Sequence, residues 1–168
     1  MGERGTDVAR EAASLVLLDD NFSSIVRAIR LGRRIFDNLR KAMSYVLSIH
    51  IPIAGLALIP VILKEPTIFL PIHIALIELI VDPASSIVFE REGDEKNIMN
   101  RPPRHPGEFI LNRKTTTMSL LQGVIALIAS LAAYFVALGA ALPEENVRTI
   151  AFVAFILTNL ALIVTNLS

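Results

Sequence analysis

The sequence predicts an all-α membrane protein with four transmembrane helices in two hairpins, preceded by a long helix on the cytoplasmic side. Three observations indicate this class. Of the 168 residues, 53% are hydrophobic and the mean hydropathy is +0.57, which is high for a soluble domain. The apolar residues form stretches long enough to cross a bilayer, which requires about 20 residues each. Basic residues cluster on one side of these stretches.

The predicted spans cover residues 42–63, 66–89, 115–142 and 149–168. The first, third and fourth contain no Asp, Glu, Lys or Arg. The connections within each pair are very short, so we expect two tight helical hairpins. Such long uncharged stretches are unusual in soluble helices, and we therefore predict that this part of the chain, residues 42–168, is a transmembrane domain.

The distribution of Lys and Arg predicts the orientation in the membrane. Six basic residues lie between positions 27 and 41, and six more lie between the second and third spans. The other two connections contain only Lys64 and Arg148. The positive-inside rule therefore places the N-terminus, the 90–114 loop and the C-terminus in the cytoplasm, and we expect an integral protein of the cell membrane.

The segment before the first span predicts a small water-soluble part. Thr6 is a plausible N-cap for a helix over residues 7–13, and "SLVLL", residues 14–18, has the pattern of a buried strand. An amphipathic helix over residues 22–41 then continues without a proline into the first span. Residues 1–21 are too few to bury a core, so we interpret them as the edge of a larger α/β domain.

Other classes of protein are disfavoured by composition. The 16 basic and 16 acidic residues balance, so no basic surface for nucleic acid is expected. The absence of cysteine excludes disulfides and thiolate metal sites. The charged, proline-rich stretch over residues 90–109 is interpreted as a solvated linker.

The strongest candidate site lies in "HIALIELIVDPASSIVFE", residues 73–90. Glu78 and Asp82 are four residues apart, so both carboxylates should lie on one face of a helix. An ionised acid in the membrane costs roughly 2.5–3.5 kcal/mol, and no span contains a Lys or Arg to pair with it. Pro83 has no N–H and should free the Leu79 carbonyl. Carboxylate and carbonyl oxygens are the ligands of a hard cation, although two protonated, hydrogen-bonded acids are the alternative.

Further candidates lie in the first and last spans. Pro52 should free the carbonyl of Ser48, and the neighbouring His50 is either a ligand or proton acceptor, or one partner of an interhelical hydrogen bond. Asn159 could supply an amide oxygen, although asparagine in a span commonly joins two helices. His73 is placed near the external interface, without a role in the site.

Several motifs resemble the P-type cation-transporting ATPases, most closely their calcium-pump-like class. "MGERGTDVAREAASLVLLDDNFSSIV" and "GRRIFDNLRKAMSYVLS" resemble the end of the phosphorylation domain and the stalk helix. "ELIVDP" resembles the metal-binding sixth membrane helix, and "IMNRPPR" the cytoplasmic loop after it. The resemblance implies that residues 1–21 are the edge of a HAD-like phosphorylation domain, residues 22–41 the stalk, and the four spans the fifth to eighth membrane helices.

The resemblance implies the membrane part of an ATP-driven pump, with calcium as the default cation. Asp82 matches the family's central metal-binding aspartate, and Glu78 stands where calcium pumps usually have an asparagine ligand. His50 and Ile53 occupy positions that commonly hold Asn and Glu ligands. Asn159 matches a position that is acidic in some members.

The same resemblance implies that the chain is a C-terminal fragment. The phosphorylation and nucleotide sites are absent from these residues, so ATP and magnesium would act only in the full-length protein and this chain alone should be inactive. Its partners would be the lipid bilayer and the remaining domains and helices of the pump. The alternative is a free-standing four-helix membrane protein that acts as a passive channel or as a partner of a pump.

Overall fold

The computed structural model describes residues 5–19, 21–104, 107 and 109–167, without the side chains of Ile80, Asp82 and Ala84. The regular structure of these residues is helical throughout. Its elements are α1 (Asp7–Ala12), α2 (Phe22–Leu63), α3 (Pro71–Leu76), a π-helix (Ile77–Val81), α4 (Asp82–Glu90), α5 (Arg113–Gly139) and α6 (Glu144–Leu167).

Three helices of the described residues are long and apolar enough to cross a membrane, namely α2, α5 and α6. The first and fourth predicted spans lie within α2 and α6, apart from the last residue, and the third nearly coincides with α5. The second predicted span does not form one continuous helix. Residues 64–70 form an irregular connection, and α3, the π-helix and α4 then follow each other without a gap. A fourth crossing thus remains a prediction.

The structure differs from the prediction in the N-terminal segment. Thr6 caps α1 as expected, because its Oγ1 accepts a hydrogen bond from the backbone N–H of Ala9 at 3.3 Å. Residues 14–18, predicted to be a buried strand, are irregular, and Leu15 and Leu18 are 53% and 86% exposed. A strand needs a neighbouring strand to complete its hydrogen bonds, and the described residues contain none. The prediction of a strand was therefore wrong for this structure.

Helix α2 begins where polar side chains bond to its free backbone groups. Asn21 Oδ1 accepts from the N–H of Ser23 at 3.0 Å, and Asp19 accepts from the Ser24 hydroxyl at 2.5 Å. The hydrogen bonds from Ser24 and from the Asn21 backbone lower the pKa of the Asp19 carboxyl. From this start α2 runs for 42 residues, which confirms the predicted continuity of the stalk and the first span.

The chain divides into two compact units, one formed by residues 1–37 and 93–104 and the other by residues 38–92 and 105–168. In the first unit the 93–104 segment is packed against α2. Arg33 Nη1 donates to the carbonyl oxygens of Ile98 and Arg101, each at 2.7 Å. Arg101 pairs with Asp37 at 2.8 Å. The 93–104 segment is exposed apart from Ile98, as the interpretation as a solvated linker implies, but α2 also supplies hydrogen-bond donors for its irregular backbone.

In the second unit α2 approaches α5 closely at two glycines. A Cβ atom at Gly123 would clash with the carbonyl oxygen of Ser48 and lie 2.7 Å from Ile51 Cδ1. A Cβ at Gly55 would clash with the side chain of Leu127. Small residues allow helices in a membrane to approach this closely, where dispersion contacts and interhelical hydrogen bonds hold them together.

We predict that Gly123→Ala destabilises the second unit, because the new methyl group must displace a backbone carbonyl. Overpacking of this kind costs about 1–3 kcal/mol. The measurement is the thermal unfolding midpoint of the purified protein in detergent. Gly139→Ala is the matched control, since a Cβ at the end of the same helix meets no atom within 4 Å. An equal midpoint for the two variants would contradict the close approach at Gly123.

Candidate cation site

The helix that carries Glu78 changes its hydrogen-bond pattern at this residue. Ile77–Val81 is π-helical, in which each carbonyl bonds the N–H five residues later, and such turns are frequent at functional sites. Pro83 lies four residues after Leu79 and five after Glu78. Because proline has no N–H, neither the α pattern from Leu79 nor the π pattern from Glu78 can be completed there. One carbonyl group therefore loses this donor, that of Leu79 in the α pattern or that of Glu78 in the π pattern.

Glu78 is exposed and lines a cavity of about 230 Å³ in the second unit. The wall residues are Ile53 and Ala57 of α2, Thr67, Ile68 and Phe69 of the 64–70 connection, and Ile74 and Ile77 beside Glu78. Among the described residues of this lining, Glu78 alone carries a charge. The Glu78 carboxylate is therefore the group of this lining that can attract a cation by its charge.

Ile53 and Glu78 line the same cavity from two different elements. Ile53 belongs to α2, whereas Glu78 belongs to the π-helix. An acidic side chain on either element would therefore point its charge toward the same space.

The carbonyl of Ser48, predicted to assist a cation, lies against Gly123 of α5. Its side chain is fully buried, and the hydroxyl donates to the Ser44 carbonyl oxygen at 2.9 Å, with Gln122 Oε1 at 3.4 Å. Pro52, which frees this carbonyl, is also buried. The structure thus places Ser48 on the α5 side of α2.

His50 is exposed, and its Nδ1 lies 2.7 Å from the carbonyl oxygen of Val46 on its own helix. A carbonyl only accepts, so Nδ1 carries the proton and donates. In the neutral ring, the Nε2 lone pair is then free to bind a cation or to accept a proton. The hydrogen bond of His50 in the structure is therefore within α2, whereas the sequence suggested an interhelical bond as one alternative.

Asn159 of α6 is bonded to Tyr45 of α2. The Tyr45 hydroxyl donates to Asn159 Oδ1 at 2.6 Å, and the two residues are 3% and 1% exposed. Asn159 Nδ2 is buried and has no hydrogen-bond partner. The amide oxygen of Asn159 therefore joins α6 to α2, while the Nδ2 group of the same amide donates no hydrogen bond.

A polar seam joins α2, α5 and α6 beside this pair. It consists of Ser44, Ser48, Ser119, Gln122 and Asn166. The Ser44 hydroxyl lies 2.6 Å from Ser119 Oγ and 2.8 Å from Asn166 Oδ1, and Asn166 Nδ2 donates to Gln122 Oε1 at 3.1 Å. The seam satisfies buried polar groups by bonds between helices.

The predicted site residues thus fall into two groups. Glu78 faces the cavity together with Ile53, whereas Ser48 and Asn159 belong to the contacts of α2 with α5 and α6. Asp82 is the first residue of α4, and its side chain lies outside the described part of the structure. Tyr45 and the polar seam were missed, although polar residues in uncharged spans were a signal for them.

Known proteins resemble this chain over most of its length. The family "Cation transporting ATPase, C-terminus" matches residues 66–168. The calcium-transporting ATPase of Bacillus subtilis (strain 168) is 35% identical over 163 residues, which are 95% of this chain and 18% of that protein. The sodium/potassium-transporting ATPase subunit alpha-3 of Gallus gallus is 39% identical over 140 residues, 82% of this chain and 14% of that protein. The chain therefore spans less than a fifth of the length of these relatives.

We predict that the Tyr45 hydroxyl and the Asn159 amide are energetically coupled. Tyr45→Phe should destabilise the protein by about 0.6–2 kcal/mol, because interhelical hydrogen bonds in membranes have this range. Asn159→Leu should make the Tyr45→Phe change much less costly. The measurement is a double-mutant cycle of thermal or denaturant unfolding in detergent. Additive effects of the two substitutions would contradict the coupling.

Proposed function

The chain belongs to the P-type cation-transporting ATPases, and we propose that it forms the membrane part of an ATP-driven cation pump. In this proposal it contains part of the ion-binding site and the helix that couples this site to phosphorylation. The observation that carries the proposal is Glu78, a carboxylate on a π-helical turn that faces a cavity against α2. ATP and magnesium would bind elsewhere in the complete pump.

The proposed cation ligands are the carboxylates of Glu78 and Asp82. The two residues are four positions apart in the sequence, and two ionised acids at this spacing would repel each other unless a cation or a proton lies between them. The carbonyl group of Leu79 or Glu78 that Pro83 cannot bond would add an oxygen ligand. His50 through Nε2, Asn159 through its amide and the Ser48 carbonyl are secondary candidates.

The coupling element would be α2. Its 42 residues form one helix, and its first part makes the contacts to the 93–104 segment while its later part borders the Glu78 cavity. Backbone hydrogen bonds resist bending of the part of α2 before Pro52, whereas Pro52 and Pro60 each remove one such bond from the part that borders the cavity. We propose that the N-terminal part is cytoplasmic and that residues 66–89 make the fourth crossing of the cell membrane.

Calcium is the first candidate for the transported ion. The Bacillus subtilis relative is named for calcium, whereas the Gallus gallus relative is named for sodium and potassium. A divalent cation matches two carboxylates on adjacent turns, and calcium takes six to eight oxygen ligands. A monovalent cation is the competing possibility, since Ile53 provides no charge on the α2 side of the cavity.

We expect Asp82→Asn and Glu78→Gln each to shift the cation dependence of the pump by tenfold or more, because each removes a charged ligand; a tenfold change corresponds to about 1.4 kcal/mol. The measurement is phosphorylation of the complete pump by ATP, with calcium, sodium and potassium tested separately. Glu90→Gln is the control, an exposed acid near the end of α4. Unchanged cation dependence in Asp82→Asn, or unchanged transport by that variant in vesicles, would refute the proposed site.

The shared cavity predicts that a carboxylate can be moved between its walls. Glu78→Gln combined with Ile53→Glu should recover at least part of the cation-stimulated phosphorylation lost in Glu78→Gln, because the charge enters the same cavity. Glu78→Gln with Ile53→Gln is the matched control, since it has the same bulk without the charge. Equal activity of the two double variants would show that position 53 does not serve the site.

A further inference from the structure

The 64–70 connection between α2 and α3 supplies three consecutive residues of the Glu78 cavity lining, namely Thr67, Ile68 and Phe69. These three residues are the cavity wall. Backbone hydrogen bonds fix the two ends of the connection. The Glu65 N–H donates to the Pro60 carbonyl oxygen at 2.9 Å, and the Leu70 carbonyl oxygen accepts from the first turn of α3. The cavity wall lies between these ends, so its own position depends on further contacts.

Two side chains from the hairpin of α5 and α6 bond to the backbone at the cavity wall. The Tyr134 hydroxyl of α5 donates to the Pro66 carbonyl oxygen at 2.8 Å. Arg148 Nε of α6 donates to the Thr67 carbonyl oxygen at 2.9 Å. Tyr134 is 0% exposed and the Arg148 side chain 23%. Neither residue is part of the cavity lining, so both act on the wall from behind.

The Arg148 guanidinium is oriented by a residue one turn earlier on α6. Its Nη2 lies 2.9 Å from Glu144 Oε2. Because the guanidinium is planar and its donors point in fixed directions, this pair also directs Nε toward the Thr67 carbonyl. Glu144 is 63% exposed, and an exposed ion pair adds little stability by itself. The donor at Nε, and not the charge, is therefore what fixes the wall.

Aromatic contacts pack the cavity wall against α6. The Phe69 ring meets Phe155 edge to face, with centroids 5.5 Å apart and an angle of 77°. It also meets Phe152 at 6.4 Å and 90°. Ile68 is 1% exposed. Since Ile68 and Phe69 follow Thr67 directly, a displacement of the Thr67 carbonyl also moves the side chains that line the cavity.

We propose that Arg148 and Tyr134 are positioning residues for the cation site. They hold the backbone of the cavity wall, so that the space beside Glu78 has its binding shape before the cation arrives. A preformed site need not be ordered when the cation binds, and its affinity is higher for that reason. The hydrogen bonds follow from the structure alone, whereas their effect on cation affinity rests on the proposed function.

The test compares Arg148→Met with Arg148→Gln in the complete pump. Both variants lose the charge and the ion pair with Glu144. The glutamine Nε2 is as many bonds from the backbone as the arginine Nε, so only Arg148→Gln keeps a donor for the Thr67 carbonyl. The measurement is phosphorylation by ATP, titrated with whichever of calcium, sodium and potassium activates the wild type.

We expect Arg148→Met to raise the half-maximal cation concentration about two- to tenfold, the range that loss of one hydrogen bond implies. Maximal phosphorylation should not change, because the ends of the connection and the Phe69 contacts keep the cavity in place. Arg148→Gln should remain near the wild-type half-maximal concentration. A role in stability alone would instead lower the maximum in Arg148→Met and leave the half-maximal concentration unchanged.

Two further variants complete this test. Glu144→Gln removes the ion pair and keeps the Nε donor, so its half-maximal concentration should be near that of the wild type. Tyr134→Phe removes a single oxygen atom and should shift the half-maximal concentration in the same direction as Arg148→Met. If Arg148→Met fails to fold, Tyr134→Phe decides, and an unchanged half-maximal concentration in that variant overturns the proposal.

Equal half-maximal concentrations in Arg148→Met and the wild type, or in Arg148→Met and Arg148→Gln, would also overturn the positioning role. The Glu78→Gln variant separates this failure from failure of the proposed function. A shift in Glu78→Gln without one in Arg148→Met refutes the positioning role alone. No shift in Glu78→Gln refutes Glu78 as a ligand, whatever the result for Arg148.

Discussion

A polar group in the interior of a bilayer must bond to the protein or to a bound ion, because hydrocarbon offers no hydrogen bonds. The second unit of this protein is organised around that constraint. Polar residues of α2 within the first span are bonded to other helices: Ser44 to Ser119 of α5 and Asn166 of α6, and Tyr45 to Asn159 of α6. These bonds join α2 to α5 and α6. Gly55 of α2 and Gly123 of α5 allow these two helices to approach each other closely.

Glu78 has a different environment from these bonded residues. It lies in the π-helical turn, and Pro83 after this turn has no N–H to donate to a carbonyl group of the turn. Its carboxylate faces an apolar cavity instead of a polar partner. In the proposed cation site, the Glu78 carboxylate and the carbonyl group that Pro83 cannot bond would supply oxygen ligands.

Much of the architecture could be predicted because hydrophobic length and charge placement act locally. The continuity of α2, the Thr6 cap and the approximate extents of α5 and α6 all depend on short-range sequence patterns. The strand over residues 14–18 was predicted from a short apolar run, and such a run does not specify its partners. The contact of the 93–104 segment with Arg33 was missed because it joins residues more than 60 positions apart.

The sequence by itself determined that Glu78 and Asp82 are acids in an apolar segment without a basic partner, next to a proline that cannot donate. These are properties of composition and spacing along one helix. Only the tertiary structure decided which residues share a space with them. It placed Ile53 in the cavity of Glu78, turned the Ser48 carbonyl toward α5 and paired Asn159 with Tyr45. The physical reason is that helix rotation and crossing are set by packing between helices, and no single helix contains that information.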